Sequence, residues 1–129
     1  MGQRGNPEPC ERDILIVDDE AAIRDVFAGV LRDNGYTVEA AATAAEANDL
    51  LAKARYRIVV TDWHLPDGDG TVIANLAAEL GSHTFVMSAY LARMAGGNVD
   101  PRRTLMKPVL PSELLATVRA CIGKASPRQ

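Results

Sequence analysis

Four short apolar runs punctuate the chain, and each one ends on residues that carry chemistry. Ile14-Leu15-Ile16-Val17 runs into Asp18-Asp19-Glu20, and Ile58-Val59-Val60-Thr61 into Asp62. Phe85-Val86-Met87 ends at Ser88, and Thr104-Leu105-Met106 at Lys107-Pro108. Uninterrupted apolar runs bounded by turn residues predict strands buried on both faces, as in a parallel sheet covered by helices.

Between these runs the period changes to that of a helix. Ile23, Val26, Phe27, Val30 and Leu31 form an apolar stripe over residues 20–34, and Gly35 stops it as a left-handed cap. Residues 36–40 read as a short strand. Thr43 with Glu46 three positions on makes a capping box for a helix whose Leu50, Leu51 and Ala54 face inward and which ends near residues 55–57. Val72, Ile73, Leu76, Ala77 and Leu80 mark a third helix, stopped by Gly81. A run from Tyr90 to Ala95 is short and broken by Gly96-Gly97-Asn98, with loop onward to Arg103. Pro111 then opens a last helix carrying Leu114, Leu115, Val118 and Ile122 on one face.

Strand and helix therefore alternate five times. That order forces parallel pairing through right-handed crossovers, giving an α/β protein with a five-stranded parallel, doubly wound sheet in three layers, α/β/α. The strand order expected for five strands is 2-1-3-4-5, the flavodoxin-like arrangement. It puts the topological switch point between the first and third strands, where ligands collect at the strands' carboxyl ends. Those strands deliver Asp18, Asp19 and Asp62 there, so the topology predicts a cleft already marked by acids.

Composition narrows the picture. With 129 residues the chain is one domain of ordinary globular make-up, 47% hydrophobic and 24% charged. The expected domain spans residues 13–124, with disordered tails at 1–12 and 125–129. A net charge of −3 provides no electrostatic footprint for nucleic acid or an anionic membrane. There is no apolar run long enough to span a bilayer and no apolar signal segment, so the cytoplasm is the expected compartment. Cys10 and Cys121 are expected to be free thiols, since neither has zinc-ligand spacing around it.

Three carboxylates brought within a few ångströms cannot all stay ionised unless a positive charge joins them. A hard divalent cation resolves this, and one or two carboxylates plus water and a phosphate is the coordination Mg²⁺ favours. The acids around Asp62 and Asp67 do not fall into an EF-hand pattern. A carboxylate beside Mg²⁺, with the Lys107 ammonium and the Ser88 hydroxyl opposite, supplies the parts for phosphoryl transfer, with Asp62 as the nucleophile.

In sequence the motifs Val17-Asp18-Asp19-Glu20, Asp62 followed by Leu65-Pro66 and Gly70, Ser88-Ala89, and Lys107-Pro108 resemble the response-regulator receiver domain of two-component signalling. The likeness covers residues 13 to 124. It implies that Asp62 accepts a phosphoryl group from a histidine kinase or histidine phosphotransfer domain. It implies further that Asp19 binds Mg²⁺ directly, Asp18 largely through water, and that the His64 carbonyl is another ligand. Ser88 would move toward the phosphate, Lys107 would pair with it, and the Lys107-Pro108 bond would be cis. A receiver of this kind catalyses only its own phosphorylation and dephosphorylation and is otherwise no enzyme.

Blander readings apply to the neighbours. Glu20 reads as a first-turn helix acid, Asp67 and Asp69 as turn and cap residues, Trp63 as a partly exposed lid, the His64 side chain as solvent-facing, His83 as a residue without a role ahead of a strand, and Arg102-Arg103 as a solvated pair. Two positions depart from the family. Thr104 stands where an aromatic residue is usual, three before the lysine, and the segment between Ser88 and Lys107 is short and glycine-interrupted. These departures motivate a second reading, a degenerate receiver acting as a phosphate-independent protein-binding module. A haloacid-dehalogenase-like hydrolase would need an acid two residues after the nucleophile, where His64 stands. Oligomeric state is left open, a homodimer included.

Overall fold

The computed structural model describes residues 10–89 and 103–124. Its elements follow the predicted order: β1 (Cys10–Val17), α1 (Ala21–Asp33), β2 (Val38–Ala41), α2 (Ala44–Lys53), β3 (Ala54–Asp62), the two-residue strands β4 (His64–Leu65) and β5 (Gly68–Asp69), α3 (Gly70–Glu79), β6 (His83–Ser88), β7 (Thr104–Met106) and α4 (Pro111–Ile122). Five strands form one sheet in the order β2-β1-β3-β6-β7, all parallel, while β4 and β5 make a separate antiparallel pair. Leaving that pair out of the count gives the predicted 2-1-3-4-5.

Burial explains why the apolar runs are continuous. Successive residues of β1 go to opposite faces, and both faces are covered. Ile14 and Ile16 join Phe27, Leu31, Ile58, Val60, Leu114 and Val118 beneath α1 and α4. Leu15 and Val17 join Ala47, Leu51, Val59, Ile73 and Ala77 beneath α2 and α3. The central residues of β1 and β3, Ile14 to Val17 and Ile58 to Val60, are fully buried. The helices stop as predicted at Gly35 (φ 92°) and Gly81 (φ 98°), a left-handed geometry that glycine adopts without penalty.

Four expectations need correction. β1 begins at Cys10, so residues 10–12, assigned above to a tail, pair with Ala54, Arg55 and Tyr56 of β3. Correspondingly α2 ends at Lys53, and residues 54–57 belong to β3. Their arginines lie in a strand pair, but Arg55 still serves the helix end as expected, with Nη1 donating to Leu51 O in the last turn of α2 at 3.5 Å. Val26 and Val72, placed in apolar stripes, are 49% and 64% exposed, because each stripe is wider than the strip of sheet its helix covers. The capping box is displaced by one bond: Thr43 Oγ1 accepts from Glu46 N, but Glu46 Oε1 accepts from Ala42 N.

The expected run 90–95, the glycine break after it and Arg102 lie outside the described residues. Cys121 is a free thiol, partly buried against the α1/α4 core, and burial pushes its pKa up. Arg103 is exposed, with Nη1 donating to Thr84 Oγ1 at 3.3 Å. Among the described residues no helix is long and apolar enough to cross a membrane.

Candidate functional site

Four strand ends converge at one edge of the sheet. β1 delivers Asp18, whose amide continues the ladder by donating to Ala41 O at 3.0 Å. The chain then turns sharply. Asp18 Oδ1 accepts from Glu20 N at 2.9 Å, a local turn of the kind short acids favour, and α1 follows at Ala21. Arg24, one helical turn on from Glu20, reaches back to donate from Nη1 to the Asp18 carbonyl at 2.7 Å. Glu20 is the N-cap residue of α1, just ahead of the first turn where it was expected, exposed and without a side-chain cap bond, and it is not among the clustered carboxylates.

β3 delivers Asp62, 9% exposed. Its carbonyl accepts from Thr61 Oγ1 at 2.9 Å. Gly70 packs so closely on this peptide that an added Cβ would lie 1.8 Å from Asp62 O. Beyond Asp62 the chain is fixed by Trp63 N donating to Met87 O at 3.0 Å and Gly70 N donating to Trp63 O at 2.7 Å. β6 ends at Ser88, 2% exposed, one residue beyond Met87, the β-ladder partner of Asp62. Lys107 follows β7, with its amide donating to Ser88 O at 2.9 Å, and the Lys107-Pro108 peptide is cis as expected.

These ends bring four of the predicted residues together, Asp18, Asp19, Asp62 and Lys107. Carboxylate oxygens of Asp18, Asp19 and Asp62 all lie within 4.8 Å of one another. Lys107 Nζ stands 3.0 Å from Asp62 Oδ2 and 3.9 Å from Asp18 Oδ2. Asp18 is fully buried and Asp19 is exposed, so the cluster runs from the interior to solvent. Burial, the largest influence, pushes the Asp18 carboxyl above its usual range. The Glu20 amide and the Lys107 ammonium offset this only in part, and the charges of Asp62 and Asp19 add to it.

The donor set fits a hard cation. Asp18 Oδ2 is buried and accepts no hydrogen bond from the described residues, a costly state for a carboxylate oxygen unless a positive charge shares the space. An all-oxygen, all-carboxylate cluster open on one side matches what Mg²⁺ accepts while keeping water.

The remaining candidates divide. The His64 side chain is exposed and stacks on Trp63, with ring centroids 4.8 Å apart. Trp63 is half-buried against Ala74 and Val86, so it is more anchored than a lid. Asp69 caps α3 by accepting from Thr71 N at 2.8 Å. Asp67 ties the loop to α2, a partnership across 23 residues that the sequence does not announce. Arg24 and Thr61 were also missed; the Glu20 to Arg24 spacing of one turn was the available signal for Arg24. Thr104 sits partly buried in β7.

Comparison with known proteins agrees with this arrangement. The chain is 34% identical over 119 residues to "Response regulator MprA" of Mycobacterium sp. (strain KMS), covering 88% of this chain and 52% of that protein. It thus spans about half the length of the curated relatives it matches. Among solved structures, the chemotaxis response regulator CheY4 of Vibrio cholerae superposes with a TM-score of 0.73 at 25% identity, covering 89% of this chain and all of the other. A CheY-like receiver domain protein from Methanospirillum hungatei JF-1 does so with a TM-score of 0.67 at 32% identity, covering 88% and 93%. The family model described as "Response regulator receiver domain" matches residues 14–119, the stretch that builds the sheet and brings its four strand ends to one acidic edge, and the chain belongs to that family.

Proposed function

We propose that the chain is a phosphoacceptor receiver of a two-component phosphorelay, with Asp62 as the residue phosphorylated. The observation that carries this reading is the convergence of Asp18, Asp19 and Asp62 oxygens within 4.8 Å, with Lys107 Nζ 3.0 Å from Asp62 Oδ2. An Asp62 oxygen attacks the phosphorus of a phosphohistidine on a histidine kinase or phosphotransfer domain. The nitrogen–phosphorus bond breaks as the oxygen–phosphorus bond of an acyl phosphate forms, and the imidazole nitrogen leaves with the bonding pair.

Each neighbour has a part in handling the charge. Lys107 already pairs with an Asp62 oxygen and stays to pair with the phosphoryl oxygens. Ser88, at the end of the adjacent strand, supplies a hydroxyl for another. Asp18, Asp19, Asp62 and the His64 carbonyl are the groups that would hold Mg²⁺. When bound, Mg²⁺ neutralises negative charge that would otherwise repel an incoming phosphate. The remaining work is positional: Thr61 and Gly70 fix the Asp62 peptide, and Arg24 fixes that of Asp18.

The protein then acts only on its own phosphoryl group. Its output is the shift between unphosphorylated and phosphorylated populations, in the cytoplasm, toward a protein partner. A homodimer is one form such an output can take. Incubation with Mg²⁺ and acetyl phosphate should yield a singly phosphorylated chain by intact-mass measurement, and Asp62→Asn should abolish it. Unmodified wild-type protein, or modification that survives the substitution, contradicts the reading. Thr104, in place of the usual aromatic residue, favours one rival, a phosphate-independent binding module. That rival predicts backbone amide spectra unchanged by beryllofluoride, whereas phosphorylation-dependent switching predicts shifts along β6 and β7.

A further inference from the structure

The segment that follows Asp62 is a hairpin too small to hold itself in place. β4 and β5 contribute only two residue pairs, His64 with Asp69 and Leu65 with Gly68. An isolated two-stranded hairpin is marginal even when longer. Its base is anchored, by Gly70 N on Trp63 O and by Asp69 on the first turn of α3. Leu65 is buried in the core beneath α2 and α3, and among the described residues the polar tie at the tip is the Asp67 side chain. Asp67 reaches across to α2 and accepts Ala44 N on Oδ1 at 2.7 Å and Ala45 N on Oδ2 at 3.0 Å.

Amides at a helix start lack intrahelical partners, and a carboxylate there is held by two hydrogen bonds and by the helix dipole. These bonds, from Ala44 first and Ala45 second, keep the Asp67 carboxyl below its usual range. The helix itself has another cap, since Thr43 Oγ1 accepts Glu46 N. The tie therefore matters more to the hairpin than to α2.

We infer that Asp67 is a positioning residue for the cation site. By clamping the hairpin tip to the α2 N-terminus, it helps fix β4, which carries the His64 carbonyl two residues after Asp62. This role rests on the functional reading above, in which that carbonyl completes the cation's ligands. A preset loop avoids the cost of ordering at the moment of binding, and supporting contacts around metal ligands commonly change affinity by about tenfold or more.

The test is a Mg²⁺ titration of the full chain, followed by backbone amide shifts, on wild type and three variants. Asp67→Ala should raise the Mg²⁺ dissociation constant about tenfold and speed exchange of the Ala44 and Ala45 amides. Asp67→Asn keeps one acceptor oxygen and should recover part of the loss. Thr43→Ala removes a cap from the same helix without touching the hairpin, and should leave Mg²⁺ affinity unchanged. An unaltered dissociation constant in Asp67→Ala overturns the positioning role alone. Equal loss in Thr43→Ala overturns it too, because α2 stability would then be the cause. Failure of wild type itself to bind Mg²⁺ overturns both this inference and the functional reading beneath it.

Discussion

The two ends of the sheet treat charge in opposite ways. At the end where β1 and β3 begin, charges pair off. Asp13 accepts the Thr37 amide at 2.9 Å and faces Arg57 at 3.5 Å, while Arg12 lies 3.8 Å from Glu39, which also accepts the Tyr56 hydroxyl. At the end where the strands finish, three carboxylates meet one lysine. Each end holds a buried polar atom without a hydrogen bond among the described residues, Arg12 Nε and Asp18 Oδ2, but Arg12 faces the opposite charge of Glu39, whereas Asp18 sits among like charges. The first end spends its polar groups on holding β1, β2 and β3 together. The second carries an unresolved excess of negative charge, which is the state a site must be in if binding a cation is to be favourable.

Substitutions at the two ends should therefore differ in kind. The largest effect is expected from Gly70→Ala at the acidic end. A Cβ 1.8 Å from the Asp62 carbonyl forces the backbone apart, and overpacking of this sort costs about 3 kcal/mol. Urea denaturation would measure it, and phosphorylation of Asp62 should fall with it.

Next is Tyr56→Phe at the paired end, which removes the hydroxyl bonded to Glu39. Near neutral pH the loss should be about 1 kcal/mol, with phosphorylation unaffected. Burial, chiefly, and Glu39 hold the Tyr56 pKa above its usual 10.0. The folded state therefore keeps its proton after the unfolded chain has lost it. The stabilisation is complete below pH 10 and is lost as pH rises through the folded value. Stability curves measured above pH 10 should accordingly fall more steeply for wild type than for Tyr56→Phe.

Asp18→Asn should have the opposite sign. Without cation, neutralising that buried carboxylate should stabilise the fold by about 1 kcal/mol in the same assay. The smallest effect is expected from Arg57→Ala, since its pair with Asp13 is partly exposed and such pairs contribute at most about 0.5 kcal/mol, less at high salt.

The same contrast explains how far the sequence could be read. The acidic end was legible because each functional side chain follows directly on an apolar run, so strand and site announce each other. The paired end was not, because its residues are charged. Cys10 to Arg12 looks like a polar tail, and Arg55 to Arg57 like a helix end, until each is seen to be the other's partner in the sheet. Ties across the fold were hidden for a similar reason. Neither Asp67 with the α2 amides nor Tyr36, whose hydroxyl donates to Gly123 O at 2.6 Å, leaves a local pattern. Exposure of Val26 and Val72 depends on how much sheet lies beneath each helix, which periodicity does not record.

Thermal unfolding of wild type, Asp18→Asn and Asp19→Asn with and without Mg²⁺ tests the contrast most directly. With Mg²⁺ at ten times its dissociation constant, wild type should gain about 1.4 kcal/mol, or about 5 °C in melting temperature, and both variants should gain far less. A melting temperature for wild type that ignores Mg²⁺, together with an Asp18→Asn protein less stable than wild type in its absence, would contradict the account.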